Sequence, residues 1–419
     1  GRMRLKHVII GNSSGAVGCV EGIRRVSRTD EIVLIASEPH HTYGRPLISY
    51  LLEGKTDLRR IQYRPEDFYA KNNVRTMLGE TVSAIYADAK QITLQNGTVI
   101  DFDKLLVSTG ASPVVFPCEG LELVENMRTF CTLDDAKTLL ERVNAGTRVF
   151  IVGAGLIGLK AAEGLRAITE HITVCDLAPR ILSSVLSETP AGMIQKHLEA
   201  NGIRFQLGTS AVKFTKNAAT LANGAVVEFD QLVYAAGVRP NAGLVKEAGG
   251  AVNRGVVVDA NGRTSLPDIY AAGDCTESVD AVTGQQKMMA LLPNAYLQGE
   301  AAGAHMAGGT FEPTPLIPQN AIGFFGKHIL SAGVYPEDIS PLEEIDSTGY
   351  RAFYYDKERQ RLLGFILIDG ERRAGIYTAL VRERTTIAPD AFAHILQNPG
   401  LIVLDPATRA GVLRKKVTA

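Results

Sequence analysis

Arg148-Val149-Phe150-Ile151-Val152-Gly153-Ala154-Gly155-Leu156-Ile157-Gly158 decides the fold. A short, β-branched apolar run that ends on glycine reads as a buried strand. The glycines that follow read as a tight turn into a helix reaching about Ala167. The next strand, His171–Cys175, ends at Asp176, which lies 23 positions beyond Gly153. A dinucleotide-binding turn places its acid about 20 positions on. Gly153 would make the turn, Gly155 would let the backbone approach a pyrophosphate, and Gly158 would bring helix and strand close. Leu156 and Ile157 would open the helix whose N-terminus attracts the anion. Asp176 would bind ribose hydroxyls. A carboxylate there repels a 2′-phosphate, so NADH is expected over NADPH, with Arg180 near enough to moderate the preference.

The same order occurs earlier in the chain. His7–Ile10 reads as a strand. Gly11-Asn12-Ser13-Ser14-Gly15-Ala16 reads as a turn, followed by a helix to about Val26 and a strand Glu31–Ala36 ending near Glu38. This copy is degenerate, because Ser13 and Ala16 stand where glycines are expected. Both are small, so close approach survives. Glu38 lies 27 positions beyond Gly11. Two such units imply α/β architecture with parallel sheets. Hairpins are expected around Asn96-Gly97 and Asn223-Gly224. After Phe311 the texture changes: Pro313, Pro315 and Pro318 read as a linker. Strand-like runs at Ala352–Tyr355 and Leu362–Leu367 then suggest a separate α+β domain.

The chain has 419 residues, 45% hydrophobic and 21% charged, with 41 glycines and a formal net charge of −1. That length suggests two or three domains. The balance of charge gives no reason to expect nucleic-acid or membrane-surface binding, and no apolar run is long enough to span a bilayer. Gly1-Arg2 before Met3 reads as a tag remnant, and a strand so near the start leaves no room for a signal peptide, so a cytoplasmic location is expected. The five cysteines, at 19, 118, 131, 175 and 275, are odd in number and lack CxxC spacing. Neither a disulfide framework nor a metal site is expected from them.

Further segments carry a resemblance. Leu106-Val107-Ser108-Thr109-Gly110-Ala111-Ser112-Pro113 and Val233-Tyr234-Ala235-Ala236-Gly237-Val238-Arg239-Pro240-Asn241 are similar to the paired ATGxxP-like segments of one superfamily. Ile269-Tyr270-Ala271-Ala272-Gly273-Asp274 resembles its late FAD motif, and Asn294-Ala295 with Gln298-Gly299 the helix start beyond it. Together with the two glycine turns, these resemble the pyridine nucleotide–disulfide oxidoreductases over residues 7 to about 308. A narrower likeness lies in Tyr43-Gly44-Arg45-Pro46-Leu47-Ile48-Ser49-Tyr50 and in Gly364–Asp369 with Arg373-Ala374-Gly375-Ile376-Tyr377. These resemble the NADH:rubredoxin reductase and nitrite reductase flavin-domain branch.

The resemblance implies a flavoprotein oxidoreductase of three domains: a split FAD domain (3–113 and 231–312), an NAD domain (114–230) and a C-terminal α+β domain (313–419) able to build a homodimer face. It implies FAD on Gly11, Ser13, Ser14, Gly15, Ala16, Glu38, Arg45, Pro46, Val82, Thr109, Gly110, Gly273, Asp274, Asn294 and Ala295. Gly237 would join Gly153, Gly155, Leu156, Ile157, Gly158 and Asp176 on NAD. Electrons would pass from NADH through FAD to a small redox protein such as rubredoxin or ferredoxin. Alternatives are an NADH oxidase, a diaphorase subunit of a larger redox complex, or a protein that senses FAD and NADH without catalysis.

The sequence departs from its relatives in two ways. No cysteine stands where the thiol-using members carry one, so thiol chemistry at the flavin is not expected. Ferredoxin reductases of the oxygenase type place a Lys and a Glu beside the flavin N5, where this chain has Tyr50 and Lys160. Lys160 is expected to point at the isoalloxazine and favour its reduction, with Tyr50 opposite.

Overall fold

Val149–Val152 is buried at every position, as expected of a strand covered on both faces. It is the centre of a parallel sheet in the order Ile203–Leu207, Ile172–Asp176, Val149–Val152, Gln231–Tyr234, Met127–Thr129. Lys6–Ile10 holds the same place in a second parallel sheet, in the order Ile269–Ala271, Lys104–Val107, Lys6–Ile10, Glu31–Ala36, Val74–Leu78. In each, the strand after the glycine turn pairs on one side and a later strand on the other. Strand order therefore reverses at the central strand, and ligands bind open α/β sheets at such a switch point.

The computed structural model describes residues 1–289, 292–310, 312–347, 349–370 and 374–397. Phe311, Arg373 and residues 398–419 of the expected C-terminal domain lie outside them. The chain forms two compact units, 1–277 with 295–313, and 278–294 with 314–419. Both parallel sheets belong to the first unit. The helix Ser14–Val26 packs beside the first sheet through Val17, Val20 and Ile23. It meets the helix Leu292–Met306 closely: a Cβ on Gly299 would come within 2.0 Å of the Gly15 carbonyl oxygen.

Two crossings join the sheets of the first unit. Ala111–Pro113 leaves the first and Val238–Pro240 returns from the second, and the two pair antiparallel. Asn241 ties them: its Nδ2 donates to the Thr109 carbonyl at 2.9 Å, and its own carbonyl accepts from Thr109 Oγ1 at 2.7 Å. The two ATGxxP-like segments are thus one double linker. The expected domain edge at 231 shifts for this reason. Gln231–Tyr234 is hydrogen-bonded to Val149–Val152 inside the second sheet, and the chain returns only beyond it. Residues 278–294, expected with the FAD domain, belong to the second unit: Ala281 N–H donates to the Leu316 carbonyl and Asn294 Nδ2 to that of Ile317.

The second unit is α+β. Its antiparallel sheet runs Gln319–Phe324, Lys327–Gly333, Arg361–Ile368, Gly349–Asp356, Leu342–Asp346. Helices Ala374–Arg382 and Pro389–Gln397 share a core with the sheet built on Phe353, Phe365, Leu380 and Ile395. The edge strand Leu342–Asp346 is exposed throughout and carries Glu343, Glu344 and Asp346, charges that discourage strand addition from another chain.

Candidate functional site

At the second switch point Gly153 has φ +114, and a Cβ there would strike the Ala235 carbonyl oxygen at 2.1 Å. Only glycine fits that left-handed turn. A Cβ on Gly158 would lie 1.9 Å from the Gly153 carbonyl oxygen, so this glycine lets the helix Leu156–Arg166 seat against the strand. Gly155 is different: a Cβ would meet nothing within 4 Å. No side chain caps the helix at Gly155, so its first-turn N–H groups can serve an anion. The open space beside Gly155 and these donors fit a pyrophosphate.

Asp176 is held in place. One oxygen accepts from Ala154 N–H and the other from Ala178 N–H, both at 2.8 Å. Arg180 turns into its own loop, donating through Nε to the Leu186 carbonyl at 3.1 Å and through Nη2 to that of Ser183 at 3.3 Å. The residue expected to moderate the carboxylate's preference is thus engaged by the loop backbone. Leu177, between them, is 74% exposed.

At the first switch point Gly11 repeats the turn, with φ +125 and the Ser108 carbonyl oxygen 2.1 Å from a hypothetical Cβ. Ser13 begins the Ser14–Val26 helix without a side-chain cap, leaving donors as at Gly155. Ser14, Gly15 and Ala16 are buried behind it. Asn12, between Gly11 and Ser13, bonds to its surroundings. Its Nδ2 donates to the His40 carbonyl at 3.1 Å, and its Oδ1 accepts from Tyr69 Oη at 2.7 Å. A small surface cleft opens between Asn12, Ser13, Glu38, His40, Tyr43 and Arg45.

Glu38 anchors that cleft. It accepts from Tyr43 Oη at 2.7 Å and Arg45 Nη2 at 2.6 Å. Tyr43 Oη also accepts from Leu133 N–H at 3.0 Å. Burial acts against the Arg45 charge, but Tyr43 and Glu38 outweigh it and hold the guanidinium pKa up. Burial pushes the Asp274 carboxyl up, and the Arg45 charge pulls it back. Arg45 is thus paired with Glu38 and its charge reaches Asp274, and a cation so placed suits a pyrophosphate. Pro46 follows it, exposed, in the short turn Arg45–Leu47. These residues fit a dinucleotide laid along the first switch point.

The remaining expected residues divide. Thr109 and Gly110 lie in the double linker, and Gly110, Gly237 and Gly273 all have positive φ. Gly273 N–H donates to Gln298 Oε1 at 3.0 Å. Ala295 is buried beside Gly15 and Gly273. Asn294 is buried, and its amide donates to Ile317 in the second unit. Val82 is a core residue, packed with Ile85, Ile92, Leu94 and Phe102.

Tyr50 and Lys160 meet where the helix Ile48–Glu53 crosses Leu156–Arg166. Lys160 Nζ lies 5.2 Å from the Tyr50 ring centroid. It is not in bulk solvent: its side chain is 16% exposed and donates to Glu163 Oε1 at 2.7 Å. Sequence reading missed Glu163, Glu53 and Lys55, which complete a charged cluster in this seam. Glu53 pairs with Lys55 at 2.7 Å. Burial and the Glu163 carboxylate beside it push Glu53 up, against the pull of Lys55. Glu163 had one available signal, its i,i+3 spacing from Lys160. Gly164 allows the crossing, since a Cβ there would lie 2.8 Å from both Leu52 Cβ and the Ser49 carbonyl oxygen.

All five cysteines are free. Burial pushes each thiol up, which suppresses the thiolate that redox chemistry needs. No helix among the described residues is long and apolar enough to cross a membrane.

Comparison with known proteins agrees with this geometry. The pyridine nucleotide-disulphide oxidoreductase family pattern matches residues 5–299. The assimilatory nitrate reductase electron transfer subunit of Bacillus subtilis (strain 168) is 32% identical over 90% of this chain. The chain spans 49% of that relative's length. A rubredoxin-NAD(+) reductase of Pseudomonas putida is 30% identical over 74% of this chain and 82% of its own. In fold, the putidaredoxin reductase–putidaredoxin complex matches with a TM-score of 0.85 at 24% identity, over 93% of this chain and 95% of the other.

Proposed function

Because the chain belongs to the pyridine nucleotide-disulphide oxidoreductase family, we propose that it takes electrons from NADH through FAD to a one-electron redox protein, without a redox-active cysteine. One observation carries this reading: two parallel sheets, each with a left-handed glycine turn and an uncapped helix start at its switch point, joined by one paired linker. One switch point suits FAD and the other NADH. We assign FAD to residues 3–113 and about 235–277 with 295–312, and NADH to about 114–234.

The residues then have distinct tasks. The Ser14–Val26 helix start and Arg45 hold the FAD pyrophosphate, Glu38 holds the ribose, and Asp274 the ribityl side. The Gly155 helix start holds the NADH pyrophosphate and Asp176 its ribose. Bound FAD supplies hydride acceptance at N5 and one-electron release. The protein aligns the two rings and excludes water. Lys160, with Tyr50 beneath it, is the cation assigned to the isoalloxazine. Raised cysteine thiols support the absence of thiol chemistry.

The acceptor belongs to the same proposal. Relatives named as a rubredoxin reductase and as an electron transfer subunit favour a small carrier or a partner redox subunit. A cytoplasmic location is also proposed, supported by five unbridged cysteines. The experiment is anaerobic stopped-flow mixing of the FAD-loaded protein with NADH, followed by a carrier protein. Rapid bleaching with reoxidation by rubredoxin or ferredoxin is expected. Bleaching slower than turnover would exclude electron transfer and leave a sensing role.

A further inference from the structure

We propose that Glu53 and Glu163, adjacent in the seam between the Ile48–Glu53 and Leu156–Arg166 helices, hold and pass on the proton that each turnover releases. Lys160 stands at one end of this path and the exposed Lys55 at the other. The proposal rests on the electron-transfer reading above, which requires a proton to leave. NADH gives up one hydride, equal to two electrons and a proton. When the electrons depart singly to a redox protein, NAD⁺ remains and one proton is left over for each NADH.

The seam has the structure such a proton needs. The two carboxylates are the most enclosed members: the Lys55 side chain is 66% exposed and Lys160 16%, against 4% for Glu53 and 5% for Glu163. Lys55 Nζ lies 2.7 Å from Glu53 Oε2, and Glu163 Oε1 accepts from Lys160 Nζ at 2.7 Å. The two acids flank the helix crossing, where Leu52 Cβ would lie 2.8 Å from a Cβ on Gly164, and the Glu53 oxygens are buried without a hydrogen-bond partner. Two neighbouring buried carboxylates cannot both ionise cheaply, so the pair retains a proton. A purely structural seam would be complete with Lys160 and Glu163 alone; a second buried acid adds desolvation cost without adding a needed partner.

Lys55 and Glu163 act on Glu53 directly, and the other titratable groups of the seam come from every neighbouring element. Tyr50 lies on its own helix, Lys55 in the turn beyond, and Lys160 and Glu163 on the crossing helix. The helix Leu133–Arg142, packed on the same side, carries Asp134, Asp135, Lys137, Glu141 and Arg142. Of these, Asp134 pairs with His40 and Asp135 with Arg128. Transfer is balanced at each step. As a proton arrives, one Lys160 N–H bond breaks while an O–H bond forms on Glu163, and the arriving proton restores the ammonium. Glu163 hands its proton to Glu53, and Glu53 releases one to water beside Lys55. No member of the path is oxidised or reduced.

The test is an infrared pH titration of the FAD-loaded protein, read at the carboxylic-acid C=O stretch, for wild type, Glu53→Gln and Lys55→Met. Wild type should keep one protonated carboxyl above the ordinary carboxylate range, and Glu53→Gln should lose it. Lys55→Met, a change at an exposed position, should carry the band to higher pH by removing the charge that opposes it. In parallel, the pH slope of the flavin midpoint potential should break at the same pH in wild type and not in Glu53→Gln. Absence of the band, a band unchanged in Glu53→Gln, or identical potential slopes would overturn the proposal. Failure of NADH to bleach the flavin would overturn the electron-transfer reading instead, and is observed separately from the band.

Discussion

Gly164→Ala tests whether the crossing of the two helices sets the distance between the cofactor sites. A Cβ at 164 would lie 2.8 Å from Leu52 Cβ and 3.0 Å from Leu52 Cδ1, whereas carbon atoms rest at about 3.5–4.0 Å. The Ile48–Glu53 and Leu156–Arg166 helices must therefore part by roughly 1 Å. Overpacking of this kind costs about 1–3 kcal/mol, partly offset by the ~1 kcal/mol that alanine contributes to a helix interior. Gly192→Ala is the control. It lies within the helix Glu188–Ala200, and a Cβ there meets nothing within 4 Å, so it should gain about 0.5–1 kcal/mol. Urea unfolding of both variants isolates the overpacking cost, because the propensity gain is common to both. The same ~1 Å displacement should slow flavin bleaching by NADH on the order of 10²-fold. A Gly164→Ala protein as stable as Gly192→Ala, bleaching at the wild-type rate, would refute the reasoning.

Other consequences follow from the sites. Asp176→Ala should lower the kcat/KM ratio of NADH to NADPH with a dye acceptor by about 10–100-fold, the worth of a hydrogen bond to a charged group; an unchanged ratio would show that Asp176 does not face the ribose. Exhaustive alkylation should leave NADH-to-dye activity largely intact, since every thiol is pushed up by burial; loss of activity that tracks one cysteine would contradict this. Lys160→Met leaves the Glu163 carboxylate in the seam without that cation and should lower the flavin midpoint by on the order of 30 mV, about 1.4 kcal/mol for a two-electron couple, with Tyr50→Phe changing it less; spectroelectrochemical titration decides. Glu53 is raised in the folded state, so its contribution to stability is present at low pH and lost as pH rises through its folded value. Glu53→Gln should therefore gain stability relative to wild type above that pH and not below it, and denaturation across the range would expose the opposite sign.

Local chemistry made the fold legible. A glycine forced to φ +114 against the Ala235 carbonyl leaves a mark in the sequence, because no other residue tolerates the position. The Asn96-Gly97 and Asn223-Gly224 turns are marked in the same way, and both hairpins form. The strand Gln231–Tyr234 is different. It pairs across the sheet with Val149–Val152, some eighty positions earlier, and nothing local distinguishes an apolar strand of one sheet from that of another. Residues 278–294 join the second unit through a backbone bond from Ala281 to 316, a side-chain bond from Asn294 to 317 and the burial of Val282 in its core, none of which leaves a periodic pattern. Val82 shows the converse limit. A family position implied a cofactor contact, and the side chain lies in the core beside a register shift in its strand, which no alternation in the sequence announces.

The site was legible wherever one residue acts alone, and obscure wherever charges act together. Asp176 and Glu38 could be read from their distance to a glycine turn, because the βαβ unit fixes that spacing. Lys160 could be located but not understood by itself. Its charge is answered by Glu163 one turn on, and Glu163 in turn abuts Glu53 more than a hundred positions earlier. Taken singly, Lys160 is a cation that should favour a reduced, anionic flavin. Taken with Glu163 it is an ion pair whose field largely cancels at a distance. With Glu53 and its partner Lys55 added, the seam's net charge follows the protonation of its carboxyl pair, positive while one proton is held and neutral once it is lost. The seam's effect on flavin potential must therefore depend on pH, and a Lys160 variant examined at one pH would measure only one of its two states.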